Sequence, residues 1–351
     1  LSEGVLSEGT SSEGVRTRHY HVHGLSVTIS ADRPEILAAL HSRLRYFAVA
    51  GSSGSSPAST QPPADLAFTC HTVLRPQEHR LARPSGRSRP LFDFPRGEAI
   101  YLEDDRLYLS DGERARLLCE PAHGRAEVSI LESELADLWV LSHPLFTVAF
   151  VELMKRRGRY SLHAAGLSLG GRGLLLAGMS GAGKSTLSLA LLRAGFGFMG
   201  DDRLFLSPRE GLSEGPEELT VQAFPDEVDV TDETAGFFPE LRPLLSRPRS
   251  AKQPKRQFWP EELYAVSLVA ECAPGALVFP RVAHRAETAL APMQAEEALL
   301  ELAPNVLLTD APSSQAHLSA LAALVGRSAL YRLETGRDFG AVPEMLRELL
   351  E

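Results

Sequence analysis

Cysteine is scarce in this chain of 351 residues: Cys70, Cys119 and Cys272 are the whole complement, widely spaced and without a Cys-x-x-Cys pair. That spacing excludes a disulfide framework and a zinc ribbon, and it fits a reducing cytoplasm. Long apolar runs are missing too. The most apolar stretch, around Trp139 to Met154, is interrupted by His143, Pro144 and Glu152, and a bilayer span needs roughly 18 clean apolar residues. Positive charge is in deficit, with a formal net charge of −9, so no general electrostatic attraction to nucleic acid or an anionic membrane is expected. Any phosphate must be held locally. The N-terminus opens on Ser, Glu and Gly rather than a basic segment followed by an apolar core, so it does not read as a secretory signal. These features point to a soluble, cytoplasmic protein.

What is present suffices for a sizeable core, since 44% of the residues are hydrophobic, and the length favours two domains over one. Residues 1–15 repeat a Ser-Glu-Gly unit and read as a disordered tail. Residues 16–145 read as a smaller α+β domain. His19 to His23 alternates like a strand, Leu25 to Ile29 follows as another, and Arg33 to Phe47 carries apolar residues at helical spacing. Short strands are expected at Ala99–Leu102, Arg106–Leu109 and Ala126–Ile130, with Asp104-Asp105 as a turn. The stretches 51–63 and 83–90 read as loops. Phe146 to Arg157 reads as a helix closed by Gly158, and the second domain is placed at 146–351. Within it Tyr160 to Leu169 and Leu174 to Ala177 read as strands and Lys184 to Arg193 as a helix.

Between that second strand and the helix lies Gly178-Met179-Ser180-Gly181-Ala182-Gly183-Lys184-Ser185, which satisfies the phosphate-loop pattern in its required strand–loop–helix context. Small residues at Gly178, Gly181, Ala182 and Gly183 let backbone N–H groups turn inward around phosphate oxygens, and the helix N-terminus adds a favourable dipole. Ser180 and Thr186 complete the expected nucleotide contacts. Lys184 is expected to neutralise β and γ phosphate charge, and the Ser185 hydroxyl to bind Mg²⁺. ATP and Mg²⁺ are therefore the expected ligands.

About fifteen residues past the loop stands Gly200-Asp201-Asp202-Arg203, closer than the metal-binding Asp of most phosphate-loop ATPases. Together with Ser161-Leu162-His163-Ala164-Ala165-Gly166 before the loop, this constellation resembles the catalytic domain of the HPr kinase/phosphorylase family over residues 160–206. The resemblance implies an α/β phosphate-loop kinase domain of the HPr kinase/PEP carboxykinase type. It also implies transfer of the ATP γ phosphate to a hydroxyl, Ser of a peptide or small protein. Carried over residue by residue, it makes His163 an active-site residue near the γ phosphate, Lys184 the loop lysine, and Asp201 and Asp202 the pair supplying a general base and a metal contact. Asp201 is the preferred base, which leaves Ser185 and Asp202 for the metal. The chain departs from the family at Thr186, where a Glu is usual, and it lacks a Glu-x-Arg-Gly-x-Gly stretch. Phosphorolysis, the HPr substrate and the family's hexamer are accordingly not carried over, and the oligomeric state stays open. A small-molecule kinase and a non-catalytic ATP-binding module are the alternatives.

Weaker candidates remain. Lys252, Lys255 and Arg256 could belong to a loop that closes on phosphates or to a solvated basic loop. Arg281 could reach a phosphate from a strand end or pair with surface carboxylates. His19, His21 and His23 could share a strand face and hold Zn²⁺ or Cu²⁺, although alternating polar residues are ordinary there. Asp226, Glu227 and Asp229 read as a turn and a solvated face.

Overall fold

The computed structural model describes residues 14–49, 63–85, 90–93, 98–209, 218–248, 255–283 and 286–351. Residues 1–13 of the expected tail, most of the loop at 51–63, part of the loop at 83–90 and Lys252 lie outside them. The chain is a mixed α/β protein that divides into two compact units, Leu1–Ala149 and Phe150–Glu351.

Among its described residues the first unit forms one mixed sheet of β1 (Arg16–Val22), β2 (Leu25–Ala31), β3 (Leu66–Val73), β4 (Pro90–Asp93), β5 (Glu98–Glu103), β6 (Arg106–Asp111), β7 (Ala115–Glu120) and β8 (Arg125–Leu131). Their order is β1-β2-β3-β8-β7-β6-β5-β4. Parallel pairing occurs at β2–β3 and β3–β8, and the crossover from β2 to β3 contains helix α1 (Pro34–Leu44). Pro34 opens that helix, where its missing N–H costs nothing, and Ile36, Leu37, Leu40 and Leu44 form its buried face. Asp104 and Asp105 both adopt positive φ, +46° and +58°, in the two-residue connection from β5 to β6. That is the turn whose twist suits a hairpin.

The three histidines do not share a strand face. β1 ends at Val22, and His23 sits in the following turn with φ +50°. Among the described residues no group of three His, Cys, Asp or Glu side chains could hold a metal ion.

The second unit begins within helix α2 (Phe146–Lys155). Near its end a buried ionic knot forms. Glu152 receives Lys155 at 2.8 Å, Arg156 at 2.9 Å and the Thr309 hydroxyl at 2.8 Å, and Glu152 and Lys155 are almost wholly buried. The main sheet comprises β9 (Tyr160–Leu162), β10 (Ala164–Leu169), β11 (Arg172–Ala177), β12 (Gly197–Gly200), β13 (Leu204–Arg209), β14 (Glu218–Ala223), β17 (Glu271–Val282), β18 (Ala289–Pro292) and β19 (Ala329–Thr335). A separate two-stranded ribbon pairs β15 (Val228–Val230) with β16 (Arg256–Phe258).

In the main sheet β11 lies between β10, antiparallel, and β17, parallel. Its alternate side chains enter two different cores. Leu174 and Leu176 join a cluster with Leu187 and Leu191 of helix α3 (Lys184–Arg193), whereas Leu175 and Ala177 join one with Leu321 and Leu324 of the later helix Ala311–Arg327. Burial on both faces is what turns Leu174-Leu175-Leu176-Ala177 into an uninterrupted apolar run. Among the described residues no helix is long and apolar enough to cross a membrane.

Candidate active site

The expected phosphate loop, residues 178–183, joins the end of β11 to the start of α3. Gly181 and Gly183 hold φ of +86° and +97°, a region that side chains with a Cβ rarely enter, so the loop needs glycine there. Gly183 caps α3, whose first residue is Lys184. Lys184 is 8% exposed, and its ammonium donates to the carbonyls of Gly178 at 2.6 Å and Met179 at 3.3 Å. Desolvation pushes its pKa down, while the charges of Asp202 and Asp201 pull it back up.

The strand expected from Tyr160 to Leu169 is interrupted at one residue, His163, between β9 and β10. The chain changes partners there, because β9 pairs with β13 while β10 pairs with β11 and β12. His163 Nδ1 lies 3.0 Å from the Asp202 carbonyl oxygen and 3.1 Å from Asp202 Oδ1. Both are acceptors, so Nδ1 carries the hydrogen in this network. Nε2 then presents its lone pair to Lys184 Nζ at 3.4 Å. One imidazole thus links Lys184 to the acidic turn.

That turn, Asp201 to Arg203, connects β12 to β13 and places its two carboxylates in unlike surroundings. Asp201 is 4% exposed. Its carboxyl is pushed up to about 6 by burial and by the charges of Asp229 and Asp202, against hydrogen bonding to the Ser185 and Ser188 hydroxyls. One of its oxygens, Oδ1, is buried without a hydrogen-bond partner. Asp202 leaves 52% of its side chain exposed. Burial also disfavours its charge, but the hydrogen bond from His163 and the charges of Arg203 and Lys184 outweigh that and hold the carboxyl well below the usual range. Asp201 therefore stands on the Ser185 side of the site and Asp202 on the His163 side.

Magnesium fits this arrangement. An orphaned, buried carboxylate oxygen beside the first hydroxyl of α3 is the hard oxygen donor set that the ion prefers. Ser180 and Gly181 are exposed at the loop's tip. Thr186 turns instead toward α4 (Asp232–Phe237), its hydroxyl 3.3 Å from that of Thr234.

Of the other candidates, Lys255 stays near enough for its charge to push the Lys184 pKa down. Lys255 pairs with Asp229 at 3.0 Å and Arg256 with Asp232 at 3.3 Å, so the described part of the basic stretch is held at the β15–β16 ribbon by carboxylates. Arg281 pairs with Glu301 at 2.6 Å. Asp226 is no solvated turn residue. It is 2% exposed, and its Oδ1 accepts the Asp201 backbone N–H at 2.8 Å. Sequence reasoning also passed over Ser188. The signal was available, since Ser185 and Ser188 stand three apart on one helix and so share a face.

No protein-family model and no curated protein matches the chain in sequence. Among solved structures it is similar to the Hpr(Ser) kinase/phosphatase from Coxiella burnetii, at 12% identity and a TM-score of 0.27, over 54% of this chain and 92% of that one. A likeness of that size assigns no residue its role.

Proposed function

We propose that the second unit is an ATP-dependent kinase that transfers the γ phosphate to a hydroxyl, with Ser of a peptide or small protein as the acceptor. The observation that carries this reading is the His163 ring, which ties Lys184 Nζ on one side to Asp202 on the other. On this reading the groups that would hold the nucleotide and accept the proton meet at one imidazole. A phosphate loop that only binds has no need of an exposed carboxylate held there.

In this reading the acceptor oxygen attacks the γ phosphorus, the bond to the β–γ bridging oxygen breaks, ADP leaves, and the hydroxyl proton passes to Asp202. Asp202 is chosen over Asp201 on reach, because Asp201 is buried and Asp202 is half exposed. The raised carboxyl of Asp201 is by itself the better-matched base, so the two criteria disagree. Geometry takes precedence, since a base must touch the proton it removes. The low carboxyl of Asp202 moreover depends on Lys184 and Arg203, whose charge a bound phosphate shares. His163, donating through Nδ1, holds Asp202 in place. Ser185 and Asp201 would hold magnesium, whose chemistry there is to neutralise charge on the β and γ oxygens. Lys184, freed from the Gly178 carbonyl, adds a second positive charge.

The test incubates the chain with γ-labelled ATP and Ser-containing acceptor peptides, alongside Asp202→Asn and Asp201→Asn. Asp202→Asn is expected to keep Mg²⁺-dependent ATP binding and to lose transfer by about 10²–10⁴-fold. Asp201→Asn is expected to lose the Mg²⁺-dependence of binding itself. Absence of ATP binding by the unaltered protein, or transfer undiminished in Lys184→Ala, would sink the reading.

A further inference from the structure

The turn that carries both carboxylates has no helix of its own to support it, yet it sets the Asp201 carboxylate close enough to Ser185 and Ser188 of α3 for their hydroxyls to act on it. The support comes from the end of β14. Strands β13 and β14 pair antiparallel, with Leu204 opposite Ala223 as the last pair. Continuing that register three residues further sets Asp201 opposite Asp226. At that position the two backbones no longer form a ladder, because the chain passes through Pro225 and leaves the sheet. The Asp226 side chain takes over instead, its Oδ1 accepting the Asp201 N–H at 2.8 Å in a fully buried contact. A carboxylate here does the work of a missing backbone carbonyl.

Two neighbouring contacts keep this junction rigid. Gly200, just before the pair, approaches so closely that a Cβ on it would lie 2.6 Å from the Phe224 carbonyl oxygen and 2.8 Å from that of Arg203. Phe224, two residues before Asp226, is 2% exposed and packs its ring against Phe205 of β13 and Phe150, at 5.7 and 5.6 Å between centroids. The acidic turn and the Phe224–Asp226 segment are thus held together from both ends, and the Asp226 hydrogen bond lies at the end nearest the site.

We infer that Asp226 is a positioning residue: by accepting the Asp201 amide it fixes where the Asp201 carboxylate stands relative to Ser185 and Ser188. What Asp201 does from there rests on the kinase reading above, whereas the positioning does not. The role is geometric and needs an acceptor at a set distance rather than a charge. Asn can supply the same oxygen at the same length. Glu keeps the charge but is one methylene too long, and Ala supplies neither.

The experiment compares Asp226→Asn, Asp226→Glu and Asp226→Ala in the full chain by two readouts, amide hydrogen exchange at Asp201 and the gain in ATP affinity that Mg²⁺ confers. Asp226→Asn is expected to leave the Asp201 amide as slow as in the unaltered protein and to preserve the Mg²⁺ gain within about twofold. Asp226→Glu and Asp226→Ala are expected to speed exchange at Asp201 by about tenfold or more, and to lose about 10–100-fold in Mg²⁺-dependent affinity, the usual scale for a residue that orients a ligand. Should Asp226→Glu behave as the unaltered protein while Asp226→Asn fails, charge and not geometry is what matters, and the inference is overturned. It is equally overturned if exchange at Asp201 is unchanged in all three. Exchange that responds as expected in a protein that binds no ATP would uphold the positioning and discard the kinase reading, so the two failures are told apart. If Asp226→Ala does not fold, the contrast between Asn and Glu still decides.

Discussion

At Asp201 the fold holds a carboxyl where water barely reaches it, beside two further acids, and the cost appears as a pKa pushed up to about 6. An ordinary Asp titrates near 3.9, so the folded state binds more protons than the unfolded state between roughly pH 4 and 6. Stability is therefore full below the unfolded value and falls as pH rises through that window, by on the order of 3 kcal/mol. Asp201→Asn removes the ionisation and should remove the fall. Denaturant unfolding of the ligand-free protein is expected to show the variant more stable above pH 6 by about 1–3 kcal/mol, with no such advantage at pH 4. An advantage independent of pH would mean that the carboxyl's burial is not its cause. A residue that weakens the empty protein is the kind that function retains.

Among the elements, the β12–β13 turn and the last turn of α2 make the sharpest demands. Gly200→Ala would drive a methyl into two carbonyl oxygens that belong to the backbone and cannot swing aside. A loss of about 1–3 kcal/mol is expected in denaturant unfolding, with a weaker Mg²⁺ gain in ATP affinity as the turn shifts. Glu152→Ala would leave Lys155, 2% exposed, without its carboxylate. Stranding a buried charge costs about 3–5 kcal/mol, measurable in the same way, and Glu152→Gln should cost less because its one amide oxygen can still accept from both Thr309 and Arg156, which share Oε1.

These elements also show what the sequence could and could not reveal. The strand, loop and helix around Lys184 were legible because their parts are local: an apolar strand, small residues and Lys184-Ser185 follow one another within a dozen positions. α2 and α3 were legible for the same reason, through apolar spacing and the glycines just past them. The places of Asp201 and Asp202 were not, since they depend on which strands flank the turn, and β12 and β13 pair with different neighbours. The break at His163 belongs to the same class, because nothing in Leu162-His163-Ala164 announces a change of partner. Asp226 was misread because only the β13–β14 register, formed across a separate segment of chain, carries it opposite Asp201.

Taken whole, the molecule carries a net charge of −9, so on the proposed reading ATP would gain nothing from its general field and would depend on the few charges gathered at the site. That makes binding sensitive to their protonation. If the Mg²⁺-loaded site needs Asp201 ionised, and the empty site protonates it at about 6, binding must release a proton below that value. Affinity for Mg²⁺-ATP is then expected to be level above pH 6 and to fall by up to about tenfold per unit below it. ATP itself titrates in that range, which is why Asp201→Asn is the necessary control: it should bind more weakly throughout and keep only the nucleotide's own dependence. Calorimetry in two buffers of unlike ionisation enthalpy reads the proton directly. Near pH 5 the unaltered chain should release close to one proton more than Asp201→Asn does, and near pH 8 the two should agree. Equal release at both pH values would show that Asp201 does not ionise on binding, and would return the metal contact to Asp202.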